Sequence, residues 1–149
     1  MSDNDIKQMV AGMPTPTFEN PAFTTPVELS LATVAIVTTA GIHTTDQAGF
    51  AARDTSFRVL DGTVRQLQMG HWSPNFDRAG FAADINVVYP IDRLGELAAA
   101  GTIARVAPRH IAFTGNQDET MTTLRIDSGP AAAELLKSDG VDIVIFTPV

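Results

Sequence analysis

The stretch Gly140-Val-Asp-Ile-Val-Ile-Phe-Thr-Pro-Val149 contains the clearest fold signal of the sequence. Its near-continuous apolar run predicts a strand that is covered on both faces. The preceding residues, Ala131 to Ser138, have helical spacing and are closed by Asp139-Gly140, so a helix leads into a parallel strand. In open α/β sheets, ligands bind just beyond the carboxyl ends of such strands. We therefore expect something chemically important to follow Val149.

Two earlier segments carry a similar buried-strand pattern. Leu31–Thr38 and Ile85–Tyr89 are both rich in β-branched apolar residues, and each is predicted to be a buried strand. Ile91–Ala100 follows the second strand with helical spacing. Asp92 lies in the first turn of this helix, where a carboxylate suits the helix dipole, and Gly101 is placed to cap its end.

An antiparallel unit is predicted between these two strands. The runs Ser56–Leu60 and Thr63–Leu67 are separated by Asp61-Gly62, a two-residue turn that is typical of β-hairpins. Met69–Ala83 is polar and irregular, and it is predicted to be a long loop. Either Ile103–Val106 or His110–Phe113 is predicted to form a further strand. The segment Asp118–Ser138 is predicted to be mostly helical and to bend at Gly129-Pro130.

Strands that alternate with helices predict a layered α/β domain. Its sheet should be mostly parallel, Rossmann-like or flavodoxin-like, with an inserted β-hairpin. We assign this domain to residues 31–149. Residues 1–30 precede it as a short helix, Asp5–Gly12, and a Pro-rich arm that repeated proline keeps extended. Phe18 and Phe23 can pin this arm onto a surface, or the arm can be a loosely packed leader.

The composition limits the class of protein. The chain has 149 residues, which fits one domain, and a net charge of −7, which argues against a nucleic-acid partner. No apolar run approaches the roughly 20 residues of a membrane span, and the acidic N-terminus lacks the layout of a secretory signal, so a cytoplasmic location is expected. The absence of cysteine excludes a thiol nucleophile within the residues present.

The three histidines are the first candidates for chemistry. His43 lies just past the carboxyl end of the first strand, His71 lies in the long loop beside Trp72, and His110 follows Arg109. A lone histidine is more often structural than catalytic. No pair has the i, i+4 spacing of a helical metal site, and the glycine spacing of a phosphate-binding loop is absent. We therefore predict no metal and no nucleotide cofactor in this chain.

Polar residues near the predicted strand ends are the second set of candidates. Asp77, Asp84 and Asn86 can bind a polar substrate or orient a neighbouring subunit, or they can form caps and Asx turns. Arg109 can clamp a carboxylate, because a guanidinium is bidentate, or it can form a structural ion pair. The predicted substrate-binding residues are His43, Asp77, Asp84, Asn86, Arg109 and His110.

Four blocks of this sequence carry a family resemblance. They are Leu31-Ala-Thr-Val-Ala-Ile-Val-Thr-Thr-Ala-Gly-Ile-His43, Asp84-Ile-Asn-Val-Val-Tyr-Pro-Ile-Asp-Arg-Leu94, Ala107-Pro-Arg-His-Ile-Ala-Phe-Thr-Gly115 and Lys137-Ser-Asp-Gly-Val-Asp-Ile-Val-Ile-Phe-Thr-Pro-Val149. In this order they resemble the selenoprotein B family of glycine, sarcosine, betaine and D-proline reductases. Within that family they look most like the D-proline branch, through its selenocysteine-containing subunit. The resemblance runs from about Pro26 to Val149.

The resemblance implies a dithiol-dependent oxidoreductase subunit that reductively cleaves a C–N bond of an amino acid or its N-methyl derivative. It implies that residues 31–149 are the N-terminal part of a longer reductase subunit. A selenocysteine or cysteine would follow Val149 and serve as the nucleophile, because a selenolate is ionised and strongly nucleophilic. It also implies a pyruvoyl group on a partner subunit, which would hold the substrate amine.

The chain departs from this family pattern because it holds neither cysteine nor selenocysteine. The simplest hypothesis is an in-frame UGA at codon 150, so that the chain alone is inactive. His71-Trp-Ser-Pro-Asn-Phe-Asp77 also differs from the His- and Asp-rich loop of the D-proline branch, which puts proline itself in doubt as substrate. An uncovered sheet edge and apolar face would favour a homo- or hetero-oligomer. The alternative is a non-catalytic α/β module that binds a partner subunit or a small carboxylate.

Overall fold

A computed structural model describes residues 2–12, 24–73, 78–117 and 120–149. The first helix, α1, spans Asp3–Ala11, which confirms the short helix predicted near the N-terminus. The predicted contacts of Phe18 and Phe23 lie outside the described residues, and the division at residue 30 stays a prediction. Within the described part of the chain, no helix is both long enough and apolar enough to cross a membrane.

The centre of the fold is strand β1, Thr33–Thr38, in which all six residues are buried. It pairs in parallel with β5 (Arg105–Val106), β6 (Arg109–Ala112) and β7 (Ile143–Thr147). Val34 has both Val106 and Ile143 as partners. Because a residue has one partner on each side, β7 lies along one edge of β1, and β5 and β6 follow one another along the other.

Two antiparallel pairings complete the sheets. Strand β3, Arg58–Asp61, pairs with β6, and the second sheet joins β2, Ile42–Thr44, to β4, Leu67–Met69. The predicted α/β domain with a mostly parallel sheet and a small antiparallel unit is therefore confirmed, and its Rossmann-like or flavodoxin-like detail stays a prediction. The placement of the hairpin across Asp61-Gly62 was wrong. The turn forms, with Asp61 Oδ1 accepting from the Thr63 amide at 2.7 Å, but the strands on either side of it enter different sheets.

The helices cover both faces of the larger sheet, as a layered α/β domain requires. On one face, Val34 and Ile36 of β1 pack with Leu94 of helix α3, which spans Ile91–Ala99. On the other face, Ala35 and Val37 of β1 pack with Ala132 and Leu136 of helix α4, which spans Gly129–Ser138. The alternation of side chains along β1 thus divides the core into two layers.

Residues 78–100 differ in part from the sequence prediction. The predicted loop contains a short helix, α2, at Arg78–Ala83. The predicted strand at Ile85–Tyr89 was wrong: Ile85–Val87 forms a 3-10 turn that opens on Asp84, whose side chain accepts from the Asn86 amide. An Asx turn at this point outweighs the strand preference of the apolar residues. Helix α3 and the positive φ of Gly101 are confirmed.

The C-terminal third confirms part of the prediction and corrects the rest. One strand was predicted from Ile103–Val106 or His110–Phe113, and both segments contain a short strand. A π-helical turn, Leu124–Ser128, directly precedes α4, and the bend at Gly129-Pro130 stays a prediction. Strand β7 forms in parallel register, but the prediction that both of its faces are covered was wrong, because the Phe146 side chain is 72% exposed. Within the described residues β7 pairs with β1 alone, so its second edge has no neighbouring strand.

We predict opposite effects for two glycine-to-alanine substitutions. Gly129→Ala should lower the free energy of unfolding by about 1–3 kcal/mol, because its Cβ would overlap the Leu124 carbonyl oxygen that the π turn brings against it. Gly95→Ala, in the exposed middle of α3 with open space around it, should raise stability by about 0.5–1 kcal/mol. Urea unfolding measures both, and equal shifts of the same sign would contradict the role given to the π turn.

Candidate functional site at the strand ends

The carboxyl ends of three parallel strands meet around Thr39, which directly follows β1. The Thr39 hydroxyl donates to the Val149 carbonyl at 3.1 Å and accepts from the Val149 amide at 2.8 Å. The Thr39 carbonyl accepts from the Gly115 amide at 2.8 Å, and the Thr39 amide donates to the Thr147 carbonyl at 3.3 Å. One residue therefore ties the segment after β6 and the segment after β7 to β1. We call Thr39, Gly41, His43, His71, Gly115 and Val149 the strand-end site.

His71 lies at the centre of this site with 6% of its surface exposed. Its Nδ1 accepts a hydrogen bond from the Ser73 amide at 3.1 Å, and the Arg78 guanidinium donates to its carbonyl at 2.7 Å. Burial lowers the pKa of the imidazole and Arg78 adds to this effect, while a hydrogen bond with the Val149 backbone opposes it. Because its Nδ1 accepts from an amide, the imidazole is in its neutral form beside the end of β7.

His43 lies on the neighbouring strand β2, as expected for a residue just past the end of β1. It is 6% exposed, its Nδ1 lies 3.2 Å from the Gly41 carbonyl, and its ring packs edge-on against Phe50. The Gly70 amide donates to the same Gly41 carbonyl at 2.9 Å, so the backbone that carries His71 is joined to the turn that carries His43. The structure thus brings the segments that carry the two histidines together at Gly41.

Gly41 makes this close approach possible. Its φ is +66°, and a Cβ at this position would lie 3.1 Å from the Gly70 carbonyl carbon and the His71 amide nitrogen. The left-handed backbone conformation and the short distances both favour glycine. His71 was a candidate from the sequence but not one of the predicted substrate-binding residues. The signal that points to it is Gly70-His71 directly after the alternating run Leu67-Gln68-Met69, which forms β4.

His110 lies in the core instead of at the strand ends. Its side chain has no exposed surface, and its Nδ1 accepts from the Ile36 amide of β1 at 2.9 Å. Its ring packs edge-on against Tyr89 at 5.5 Å between centroids. Burial lowers the pKa of His110 to about 4, with Arg65 adding to the effect and Asp61 opposing it. In this arrangement the imidazole completes the hydrogen bonding of the sheet.

Asp84 and Asn86 form the capping network that the sequence left open as an alternative. Asp84 Oδ1 accepts from the Asn86 amide at 2.9 Å and from the Asn86 side chain at 2.8 Å. The Asn86 side chain in turn accepts from the Asp92 amide at 3.0 Å, and Arg65 pairs with Asp92 at 2.8 Å. These bonds fix the start of α3. They also hold the pKa of the Asp84 and Asp92 carboxyls below their ordinary range.

Arg109 forms the ion pair that was its second sequence interpretation. Its Nε and Nη2 donate to the two carboxylate oxygens of Asp139 at 2.8 and 2.5 Å, which joins β6 to the end of α4. This pairing lowers the pKa of Asp139. Asp77 lies outside the described residues. Substrate binding by His43, Asp77, Asp84, Asn86, Arg109 and His110 stays a prediction.

The fold and the strand-end site are those of an α/β protein whose polar groups collect beyond its parallel strands. The family model described as Glycine/sarcosine/betaine reductase selenoprotein B matches residues 5–149, and the chain belongs to this family. It is 38% identical over 132 residues to D-proline reductase subunit gamma of Acetoanaerobium sticklandii, an alignment that covers 85% of this chain and 53% of that subunit. The chain thus spans about half the length of this relative. No solved structure matches it.

We predict that His110 makes the fold sensitive to acid. The folded state keeps this imidazole neutral, so its contribution to stability is complete above pH 6.5 and is lost as the pH falls towards 4. The shift from 6.5 to about 4 corresponds to roughly 3 kcal/mol. His110→Asn keeps an acceptor for the Ile36 amide and does not titrate. Its free energy of unfolding should fall less steeply between pH 6.5 and 4.5 than that of the unaltered chain, and equal slopes would contradict the assignment.

Proposed function

We propose that this chain is part of a reductase subunit that cleaves a C–N bond of D-proline or a glycine derivative. The observation that carries the proposal is the match of the selenoprotein B family across residues 5–149, together with the 38% identity to a D-proline reductase subunit. The location of the strand-end site supports it, because catalytic groups of open α/β sheets collect beyond the carboxyl ends of the strands.

The reaction consumes one dithiol for each C–N bond. The bond between carbon and nitrogen breaks, a C–H and an N–H bond form, and the dithiol gives up two electrons and two protons as it becomes a disulfide. The proposed nucleophile is a selenocysteine or cysteine that follows Val149 in the full-length protein. A thiolate or selenolate is required because only the ionised form attacks carbon effectively.

The residues of the present chain would bind and orient. Thr39 and the Val149 backbone hold the end of β7 against β1, with the hydroxyl of Thr39 bonded to both polar groups of Val149. The largely buried imidazoles of His43 and His71 lie beside Gly41 in the same site. His43, whose Nδ1 lies against the Gly41 carbonyl, can offer its Nε2 to a polar substrate, and His71 lies against Val149. The proposed pyruvoyl group belongs to a partner subunit and would hold the substrate amine.

The proposed subunit acts with other chains in the cytoplasm. The relative is named as one subunit of D-proline reductase, which supports an assembly with a partner subunit or with further copies of this chain. The exposed Phe146 side chain on β7 also supports assembly, since exposed apolar groups at a sheet edge favour association.

The proposal is tested with the full-length gene product and its partner subunit. We expect dithiothreitol-dependent amine release or ring opening with at least one of D-proline, sarcosine, betaine and glycine. Residues 1–149 alone should be inactive with the same partner, because they contain no cysteine. This shorter chain is the matched control.

Two other results would contradict the proposal. The first is a UAA or UAG codon directly after codon 149, with no cysteine-containing reading frame downstream. The second is an intact mass of the natural protein that leaves no room for cysteine or selenocysteine. Either result would favour the binding module over the reductase.

A further inference from the structure

The contact between His71 and the end of β7 is made possible by the absence of a side chain at position 115. A Cβ on Gly115 would lie 2.7 Å from Nε2 of His71 and 2.8 Å from the carbonyl oxygen of Val149. Both distances are shorter than real Cβ contacts allow. The imidazole and the carbonyl therefore share the space that any larger residue at position 115 would fill.

The hydrogen-bond pattern defines which nitrogen of His71 faces Val149. Because Nδ1 accepts from the Ser73 amide at 3.1 Å, the proton of the neutral ring lies on Nε2. Nε2 is also the atom directed at the space beside the Val149 carbonyl. The N–H of the imidazole is thus directed at the space that the ring shares with the Val149 carbonyl.

The end of β7 is consequently held from two sides. Thr39, which follows β1, accepts from the Val149 amide at 2.8 Å and donates to the Val149 carbonyl at 3.1 Å. His71, which follows β4, approaches the same carbonyl from the other sheet. A carbonyl with two lone pairs can accept both donors. Two contacts from different sheets restrict the direction of this peptide more than either contact alone.

We propose that His71 is a positioning residue that acts through the Val149 carbonyl and sets the direction in which the backbone leaves β7. This inference rests on the proposed function, because its consequence is the placement of the reacting group that follows Val149. His71 would therefore affect the rate of the chemical step more than the binding of substrate. A displacement of about 1 Å at a reacting group can cost up to about a hundredfold in rate.

The test compares four variants of the full-length protein in complex with its partner subunit. His71→Leu removes the donor. His71→Gln keeps an N–H donor near the position of Nε2. Gly115→Ala drives the imidazole and the Val149 carbonyl apart without altering either residue. Gly95→Ala is the matched control, since its Cβ meets open space. Circular dichroism at the assay temperature gives the folded fraction to which each rate is referred.

We expect kcat to fall about tenfold or more in His71→Leu and Gly115→Ala, with KM changed less than about threefold. His71→Gln should recover most of the rate, and Gly95→Ala should match the unaltered protein. Unchanged kcat in Gly115→Ala and His71→Leu would overturn the positioning role while leaving the reductase proposal intact. If His71→Leu does not fold, the comparison of Gly115→Ala with Gly95→Ala decides. Absence of turnover in the unaltered complex would instead overturn the proposed function, and the inference with it.

Discussion

The arrangement of every other element depends on the burial of β1 between two layers and two edges. All six residues of Thr33–Thr38 are buried, and Val34 and Val37 each pair with a strand on both sides. Such a strand has no solvent-facing backbone, so each of its polar groups needs a partner within the protein. The segments that flank the neighbouring strands consequently form hydrogen bonds with the backbone at the two ends of β1.

The interruption between β5 and β6 shows how this requirement is met. These two short strands lie along one edge of β1 and are separated by Ala107-Pro108, where regular pairing stops. The Ile36 amide then bonds to the side chain of His110 at 2.9 Å. An imidazole nitrogen takes the place of a backbone carbonyl, which accounts for a fully buried histidine that remains neutral. Its Nε2 and the Tyr89 hydroxyl have no hydrogen-bond partner among the described residues.

The same strand determines the geometry of the strand-end site. Where β1 ends, Thr39 bonds to the backbone of Gly115, Thr147 and Val149, and the next turn carries Gly41 and His43. Gly41 and Gly115 have no side chain, so the backbone after β1, β6 and β7 and the imidazoles of His43 and His71 can approach one another closely. The chain belongs to the selenoprotein B family, and the reductase function proposed above would use this geometry to orient a nucleophile.

The sequence by itself determined the elements whose signals are local. The apolar runs of β1 and β7, the helices α3 and α4 and the cap at Gly101 could be predicted because each follows from neighbouring residues. The four ordered blocks also indicate the family, because their residues and their order belong to the sequence alone. His43 could be placed at the end of β1 because a residue that follows a strand by a few positions has little choice of location.

Only the tertiary structure decided which distant segments meet. The turn at Asp61-Gly62 forms as its residues predict, yet β3 pairs with β6 and β4 pairs with β2, since pairing depends on edges that other parts of the chain supply. Arg109 and Asn86 each had two interpretations, and their partners, Asp139 and Asp92, settled which bonds they make. His71 lies beside Val149 although 78 positions separate them. The residues near His71 or Val149 in the sequence do not predict this contact, because the contact results from the packing of both sheets.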